Sequence, residues 1–158
     1  MRSEEAVCRA IEQYASMVQR ICFIHLKNEA DTEDIFQTVF LKYAMSTIEF
    51  QSEAHEKAWL IRVTVNACKD LLKSFFRKHT VPLGDYIEKS GVTEPHHSEL
   101  LEAVLSLPEK YRRVVYLHYY EGYTAPEMSE ILGVKVNTVY THLARGKDLL
   151  RDALGGEA

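Results

Sequence analysis

The stretch from Thr124 to Leu150, TAPEMSEILGVKVNTVYTHLARGKDLL, constrains the fold more than any other, because two helix signals meet there across a very short turn. Thr124 can cap free amides at the start of a helix while Glu127 reaches back from three residues on, and Pro126 falls in a first turn, where its missing amide is not needed. Gly133 then permits the positive φ of a helix C-terminus, and Val134 can fold back onto Met128 and Leu132. A second helix follows, in which Val139, Leu143, Gly146 and Leu150 form one buried stripe. Its other face carries Asn137, Tyr140, Thr141, Arg145 and Asp148. Ser129 is small where two steeply crossing helices must come close. This spacing predicts a helix-turn-helix, a device that pushes the N-terminal half of its second helix into the major groove. An ordinary helical hairpin in a bundle core shares the short turn and the apolar stripe.

The rest of the chain also reads as helices. A first helix is predicted over about residues 3–27, on the spacing of Ala6, Ile11, Tyr14, Val18, Ile21 and Ile24. After a break at 28–30, Asp31 is expected to cap a second helix running to about Ser46, with Ile35, Val39 and Tyr43 inward, Phe36 and Phe40 beside them, and Glu33 and Asp34 in its first turns. Residues 47–53 form a short polar connection that holds Ile48 and Phe50. A third helix over about 54–78 would bury Trp59, Leu60, Val63, Ala67 and Leu71, leaving Arg62, Asn66, Lys69, Lys73 and Arg77 in solvent. From Thr80 to His97 two prolines and two glycines break the periodicity, as in a linker. Ser98 starts a short helix to Leu105, and Pro108 starts another, with Tyr111, Val114, Val115, Leu117 and His118 inward or nearly so. The expected fold class is therefore all-α: a three-helix N-terminal domain over 1–79, a flexible linker over 80–97, and a four-helix domain with the helix-turn-helix over 98–158.

Composition narrows the function. No run approaches the roughly 18 apolar residues of a membrane span, and the acidic, polar start MRSEEAVCRA is no signal peptide, so a cytoplasmic protein is expected. The three cysteines, Cys8, Cys22 and Cys68, fall within apolar helical patterns and read as small buried side chains rather than a disulfide framework. Cys22 and His25 lie three apart on one helix, but no second ligand pair accompanies them, so no metal site is expected. The net charge of −4 argues against a chain that coats nucleic acid by charge alone. Between Ala54 and Lys78, however, six basic residues stand against two acidic ones, a basic helix in an acidic protein. Such a face can reach phosphates, or it can simply be solvated. No nucleophile and base at suggestive spacing, no phosphate-cradling glycine loop and no ligand cluster point to an enzyme, and no catalytic residue or cofactor is expected.

Two motifs stand in a fixed order, and together they resemble a bacterial RNA polymerase sigma factor, of the sigma-70 family's extracytoplasmic-function type. The first is D-x-E-D-x-x-Q-x-x-F at Asp31, Glu33, Asp34, Gln37 and Phe40, continued by W-L-x-x-V-x-x-N-x-x-x-D at Trp59, Leu60, Val63, Asn66 and Asp70. The second is L-P-E-x-x-R-x-V at Leu107, Pro108, Glu109, Arg112 and Val114, with the helix-turn-helix after it. The resemblance covers about residues 5–152.

The resemblance implies roles. Asp34 and Gln37, with Asp31 and Glu33 nearby, would dock on the clamp of the largest subunit of core RNA polymerase. Arg62, Asn66, Lys69 and Lys73 would contact the minus-ten element of promoter DNA, and the loop with Ile48 and Phe50 would hold an unstacked base. The linker would thread toward the RNA exit path. The helix-turn-helix would read the minus-thirty-five element through Asn137, Tyr140, Thr141 and Arg145, with Lys147 and Arg112 on phosphates, while its domain sits on the flap of the second-largest subunit. Family members are often held by an anti-sigma protein. The chain departs from the family at four positions: Thr38 stands where a glutamate is usual, Lys135 where a serine cap is usual, and Tyr140 and His142 where basic residues are usual. A promoter-specificity subunit is the leading reading. A self-sufficient helix-turn-helix regulator would leave the acidic helix, the basic helix and the linker without a purpose, and an interaction protein with no nucleic-acid role would leave both motifs unused.

Overall fold

A computed structural model describes residues 1–79 and 99–155; within it the side chains of 75–79 are left undescribed, and the expected linker over 80–97 lies outside the described residues. All regular structure among the described residues is helical, in the order α1 (Glu4–Leu26), α2 (Glu29–Met45), α3 (Glu53–His79), α4 (Glu99–Leu105), α5 (Glu109–Tyr119), α6 (Ala125–Leu132) and α7 (Val136–Ala153). The helices divide into two compact units, α1–α3 and α4–α7.

In the first unit the three helices pack on one another around Val18, Ile21, Cys22, Leu26, Val39, Tyr43, Leu60, Ile61 and Cys68, all almost fully buried. Ser3 caps α1, accepting from the Ala6 amide at 3.2 Å. Lys27 ends that helix in the left-handed region, so the break before α2 is shorter than expected. The cap of α2 is Asn28 rather than Asp31: the Asn28 side chain accepts from the Asp31 amide at 3.0 Å and donates to the Asp31 carboxylate at 2.6 Å. Asp31 therefore serves the helix start from inside its first turn.

The buried stripe of α3 also differs. Leu60 and Ala67 are inside as expected, but Trp59, Val63 and Leu71 are half-buried, and Ile61, Thr64, Val65, Cys68 and Leu72 take their place. α3 packs against both α1 and α2, which demands a wider face than a single stripe. Thr64 can be buried because its hydroxyl donates to the Leu60 carbonyl at 2.6 Å. Of the cysteines, Cys22 and Cys68 are buried as expected, whereas Cys8 is exposed.

In the second unit α7 packs on α5 and α6. The approach to α5 is close enough that a Cβ at Gly146 would meet Val115 Cγ2 at 2.7 Å, so only glycine fits there without a shift. Thr124 and Glu127 form the expected capping box, with Thr124 Oγ1 accepting from the Glu127 amide at 3.3 Å and Glu127 Oε1 accepting from the Thr124 amide at 2.9 Å. Those bonds from Thr124 hold the Glu127 carboxyl below its ordinary range. Gly133 ends α6 at φ +69°, and the Ser129 hydroxyl donates to the Val134 carbonyl at 2.5 Å across the turn. Ser129 thus closes the turn in addition to leaving room for it.

Candidate functional site

The acidic helix begins with its charges on one side. Glu33, Asp34 and Gln37 are exposed, while Asp31 is half-buried in the cap just described. Thr38, next along, donates its hydroxyl to the Asp34 carbonyl at 3.0 Å and so folds onto its own helix. The same outward line continues through Leu41 and Met45, which are 64% and 59% exposed. The sequence reading passed over both residues. Their signal was available: Asp34, Gln37, Leu41 and Met45 follow steps of three, four and four, one face of a helix whose opposite face, Ile35, Val39 and Tyr43, is buried.

The connection between α2 and α3, residues 46–52, is built around an aromatic cluster. Phe50 is half-buried, its ring parallel to Tyr43 at 6.1 Å and edge-on to Trp59 at 5.7 Å and to His55 at 5.2 Å. It anchors the loop, so within the expected base-holding loop Phe50 lies packed on its neighbours. Ile48 does point to solvent, 41% exposed. Beneath the cluster the Tyr43 hydroxyl donates to Glu56 Oε2 at 2.6 Å, and burial followed by that bond pushes the phenol up to about 12. The phenol is thus a fixed donor at all ordinary pH.

On α3, Arg62, Asn66 and Lys73 are exposed and Lys69 is half-buried, so the four expected minus-ten contacts lie along one outer face. The half-buried Trp59 and Val63 border it. A basic face edged by an aromatic ring suits a single strand, whose phosphates pair with cations while its bases stack.

On α7, Asn137, Tyr140, Thr141, Arg145 and Lys147 are all exposed, with the Thr141 hydroxyl turned back to the Asn137 carbonyl at 3.0 Å. Lys135 begins the helix without a side-chain capping bond, as the missing serine implies. His142 is half-buried, edge-on to Tyr111 at 5.4 Å, so it packs against α5 instead of joining the reading face. Burial, then the charges of Lys110 and Arg113, lowers its imidazole below the usual value. Among the described residues no group of histidine, cysteine and carboxylate side chains is placed to hold a metal ion, and no helix is long and apolar enough to cross a membrane.

Arg112 is the one expected contact that the structure removes from the DNA face. It is 0% exposed, and its Nη1 donates to the carbonyls of Leu105 at 3.1 Å and Leu107 at 3.3 Å. These carbonyls lie at the end of α4 and in the turn before α5, where no helical amide is available to them. The long side chain reaches back over Pro108 and ties the two helices together. Burial lowers the guanidinium to about 10, which still leaves it charged at neutral pH.

Comparison with known proteins identifies the family. Residues 10–78 match the family described as Sigma-70 region 2, and residues 97–150 match Sigma-70, region 4. The chain is 32% identical over 142 residues to the RNA polymerase sigma factor SigV of Bacillus subtilis, covering 87% of this chain and 84% of that protein. It is 25% identical to the ECF RNA polymerase sigma factor SigW of the same species, covering 96% of this chain and 90% of SigW. Against the ECF RNA polymerase sigma factor SigE of Mycolicibacterium smegmatis it is 32% identical over 91% of its own length, and spans 60% of that relative. The fold is similar to that of the sigma factor RpoE in its co-crystal structure with the anti-sigma factor NepR from Bartonella quintana, with a TM-score of 0.75 over 95% of this chain and 97% of that one, at 16% identity. CnrH, solved in complex with the cytosolic domain of CnrY, gives a TM-score of 0.66 over 99% of this chain and 92% of its own, at 19% identity. With both region models matched in order, a relative above 30% identity covered over most of its length, and the all-helical two-unit fold, the chain belongs to the sigma-70 family of RNA polymerase sigma factors, of the extracytoplasmic-function type.

Proposed function

We infer that this chain is a promoter-specificity subunit, which binds core RNA polymerase and directs initiation at a subset of promoters, acting by binding alone and in the cytoplasm. The observation that carries the assignment of surfaces is the outward line of α2. Asp34 and Gln37 run directly into Leu41 and Met45, two large apolar side chains left in solvent although the helix has a well-buried opposite face. An exposed apolar patch edged by charge on a rigid helix is the signature of a protein-docking face, and in this family it fits the polymerase clamp. Residues 1–79 are then the polymerase- and minus-ten-binding domain, with Arg62, Asn66, Lys69 and Lys73 on the DNA, and 98–158 the minus-thirty-five domain, joined by 80–97. Asn137, Tyr140, Thr141, Arg145 and Lys147 form the reading face of the second domain; Arg112 is left out of it. An anti-sigma partner, such as the NepR that accompanies RpoE in its co-crystal structure, belongs to the same reading.

The test is Asp34→Arg combined with Gln37→Ala. Exposed substitutions shift stability by about 0.5 kcal/mol or less. Melting should therefore be unchanged while co-purification with core polymerase falls. Undiminished co-purification would remove the clamp assignment.

A further inference from the structure

The C-terminus of α2 leaves carbonyls without helical partners, as every helix end does. Here a residue far away in sequence reaches the Ala44 carbonyl and the Tyr43 carbonyl, the latter in addition to its bond from the Ser46 amide at 3.2 Å. The Arg2 amide donates to the Ala44 carbonyl at 2.8 Å, and its Nε donates to the Tyr43 carbonyl at 3.0 Å. The same guanidinium continues across the chain reversal: Nη2 donates to the Ile48 carbonyl at 2.6 Å, while Cζ lies 4.5 Å from the Tyr43 ring centre and 4.8 Å from that of Phe50. A cation at a helix C-terminus is favoured by the dipole, and the rings add cation–π attraction. One side chain therefore binds the last turn of α2 to both Ile48 and Phe50.

Phe50 anchors the loop through its ring, and the other hydrogen bonds of the loop lie toward its two ends. Its start is held by the Ile48 amide on Ser46 Oγ at 3.2 Å, and its end by the Gln51 amide on His55 Nδ1 at 3.1 Å and the His55 amide on Ser52 Oγ at 3.1 Å. Between those ends, the Ile48 carbonyl is held by Arg2 while the Ile48 side chain faces solvent. The planar fork of a guanidinium suits this task, since two donors reach two carbonyls at a fixed spacing; an ammonium offers no such geometry.

We propose that Arg2 is a positioning residue for promoter selection: by strapping the 46–52 loop to the end of α2 and the Tyr43–Phe50 pair, it sets the conformation in which Ile48 meets the minus-ten base. The proposal rests on the reading of this loop as the minus-ten contact. It places a determinant of base choice in a residue 46 positions from Ile48 in sequence, acting through the Ile48 carbonyl.

The experiment compares Arg2→Ala, Arg2→Lys, Ser3→Ala and Ile48→Ala in the full chain reconstituted with core polymerase. Minus-ten preference is read from a promoter library, and loop protection from amide exchange of residues 48–50 in the free protein. Ser3→Ala removes the α1 cap and loosens the same helix end without touching the loop. Arg2→Ala is expected to speed exchange in the loop and to reduce discrimination at the loop-read base by about tenfold, with the loss of two side-chain hydrogen bonds and two ring contacts. Arg2→Lys should recover part of this, and the minus-thirty-five preference and polymerase affinity should not move. If Ile48→Ala alters minus-ten choice and Arg2→Ala does not, the strap is overturned and the loop reading stands. If neither alters it, both fall. An equal effect of Ser3→Ala would also overturn the proposal, because general fraying would then account for the change.

Discussion

Arg62 in the N-terminal unit stands in solvent on the middle of a 27-residue helix, whereas Arg112 in the C-terminal unit is fully buried on an 11-residue helix, holding two carbonyls. The difference follows from how each unit is built. Helices of 23, 17 and 27 residues in the first unit have few ends for their length, and the polar side chains buried there serve their own helix: His25 bonds the Ile21 carbonyl at 2.9 Å, Thr64 the Leu60 carbonyl at 2.6 Å, and Asn28 caps α2. The second unit has helices of 7, 11, 8 and 18 residues, so a larger share of its backbone groups lies at helix ends. Polar side chains are drawn inward to meet them: Arg112 on Leu105 and Leu107, His118 on the Tyr123 carbonyl at 2.7 Å, and the Ser129 hydroxyl on Val134. A charged residue within reach of a helix end, as Arg112 and Arg2 both are, is thus a weaker sign of a ligand contact than one in mid-helix.

The largest expected effect comes from removing that tie. Arg112→Ala leaves two carbonyls unpaired in the interior and opens a void, and should destabilise the C-terminal unit by about 3 kcal/mol or more. Urea denaturation followed by circular dichroism reads this directly. A change within about 0.5 kcal/mol, as for an exposed phosphate contact, would erase the contrast between the two arginines. Next in size is the reading face. Replacing Asn137 and Arg145 together by alanine should leave stability nearly unchanged and relax preference by about 1–3 kcal/mol per contacted base pair. A promoter library with randomised minus-thirty-five positions measures it, and an unaltered preference would show that another face of α7 reads DNA.

The smallest effect concerns His142. Its folded-state value lies below the ordinary one, so the unfolded chain takes up the proton first as pH falls. The stability that neutral His142 contributes is whole above about pH 6.5 and is lost as pH drops from there through the lowered folded value. His142→Gln should flatten this slope between pH 7.5 and 5.5 in thermal melts. An unchanged slope would place the titration elsewhere.

Much of the architecture was legible because long amphipathic helices advertise themselves by period. The capping box at Thr124 and Glu127 and the left-handed turn at Gly133 are local signals, and each formed where the residues indicated, whereas the close approach at Gly146, expected only as part of a buried stripe, depends on Val115 of another helix. What period could not convey was width. α3 meets two partners, so Ile61, Thr64 and Val65 are buried beside the expected stripe, and Thr64 is admitted by a hydrogen bond that no hydropathy pattern records. The candidate site shows the same limit. Exposure of Asn137, Tyr140, Thr141, Arg145 and Lys147 followed from the stripe opposite them, but the burial of Arg112 depends on carbonyls contributed by a different helix. Leu41 and Met45 were readable from register alone and were passed over because apolar residues in a helix look like core.

The central claim is that DNA reading is divided between two domains and becomes useful only when polymerase holds both. From Tyr111 to Ala158 there are six basic and six acidic residues; Arg112 is buried and Arg113 is paired with Glu109 at 2.9 Å, which leaves Lys135, Arg145, Lys147 and Arg151 exposed. Each neutralised phosphate contributes about 0.9 to the salt slope, so three or four contacts give a slope near −3 and non-specific affinity of about 10⁻⁴ M or weaker. Holding both domains on one promoter would raise the effective concentration of the second contact. Fluorescence anisotropy of the free chain on a duplex promoter near 150 mM salt tests this most directly. The account predicts weak binding with little sequence preference, rising sharply when core polymerase is added; tight, sequence-specific binding by the chain alone, near 10⁻⁸ M, would contradict it and favour a self-sufficient helix-turn-helix regulator.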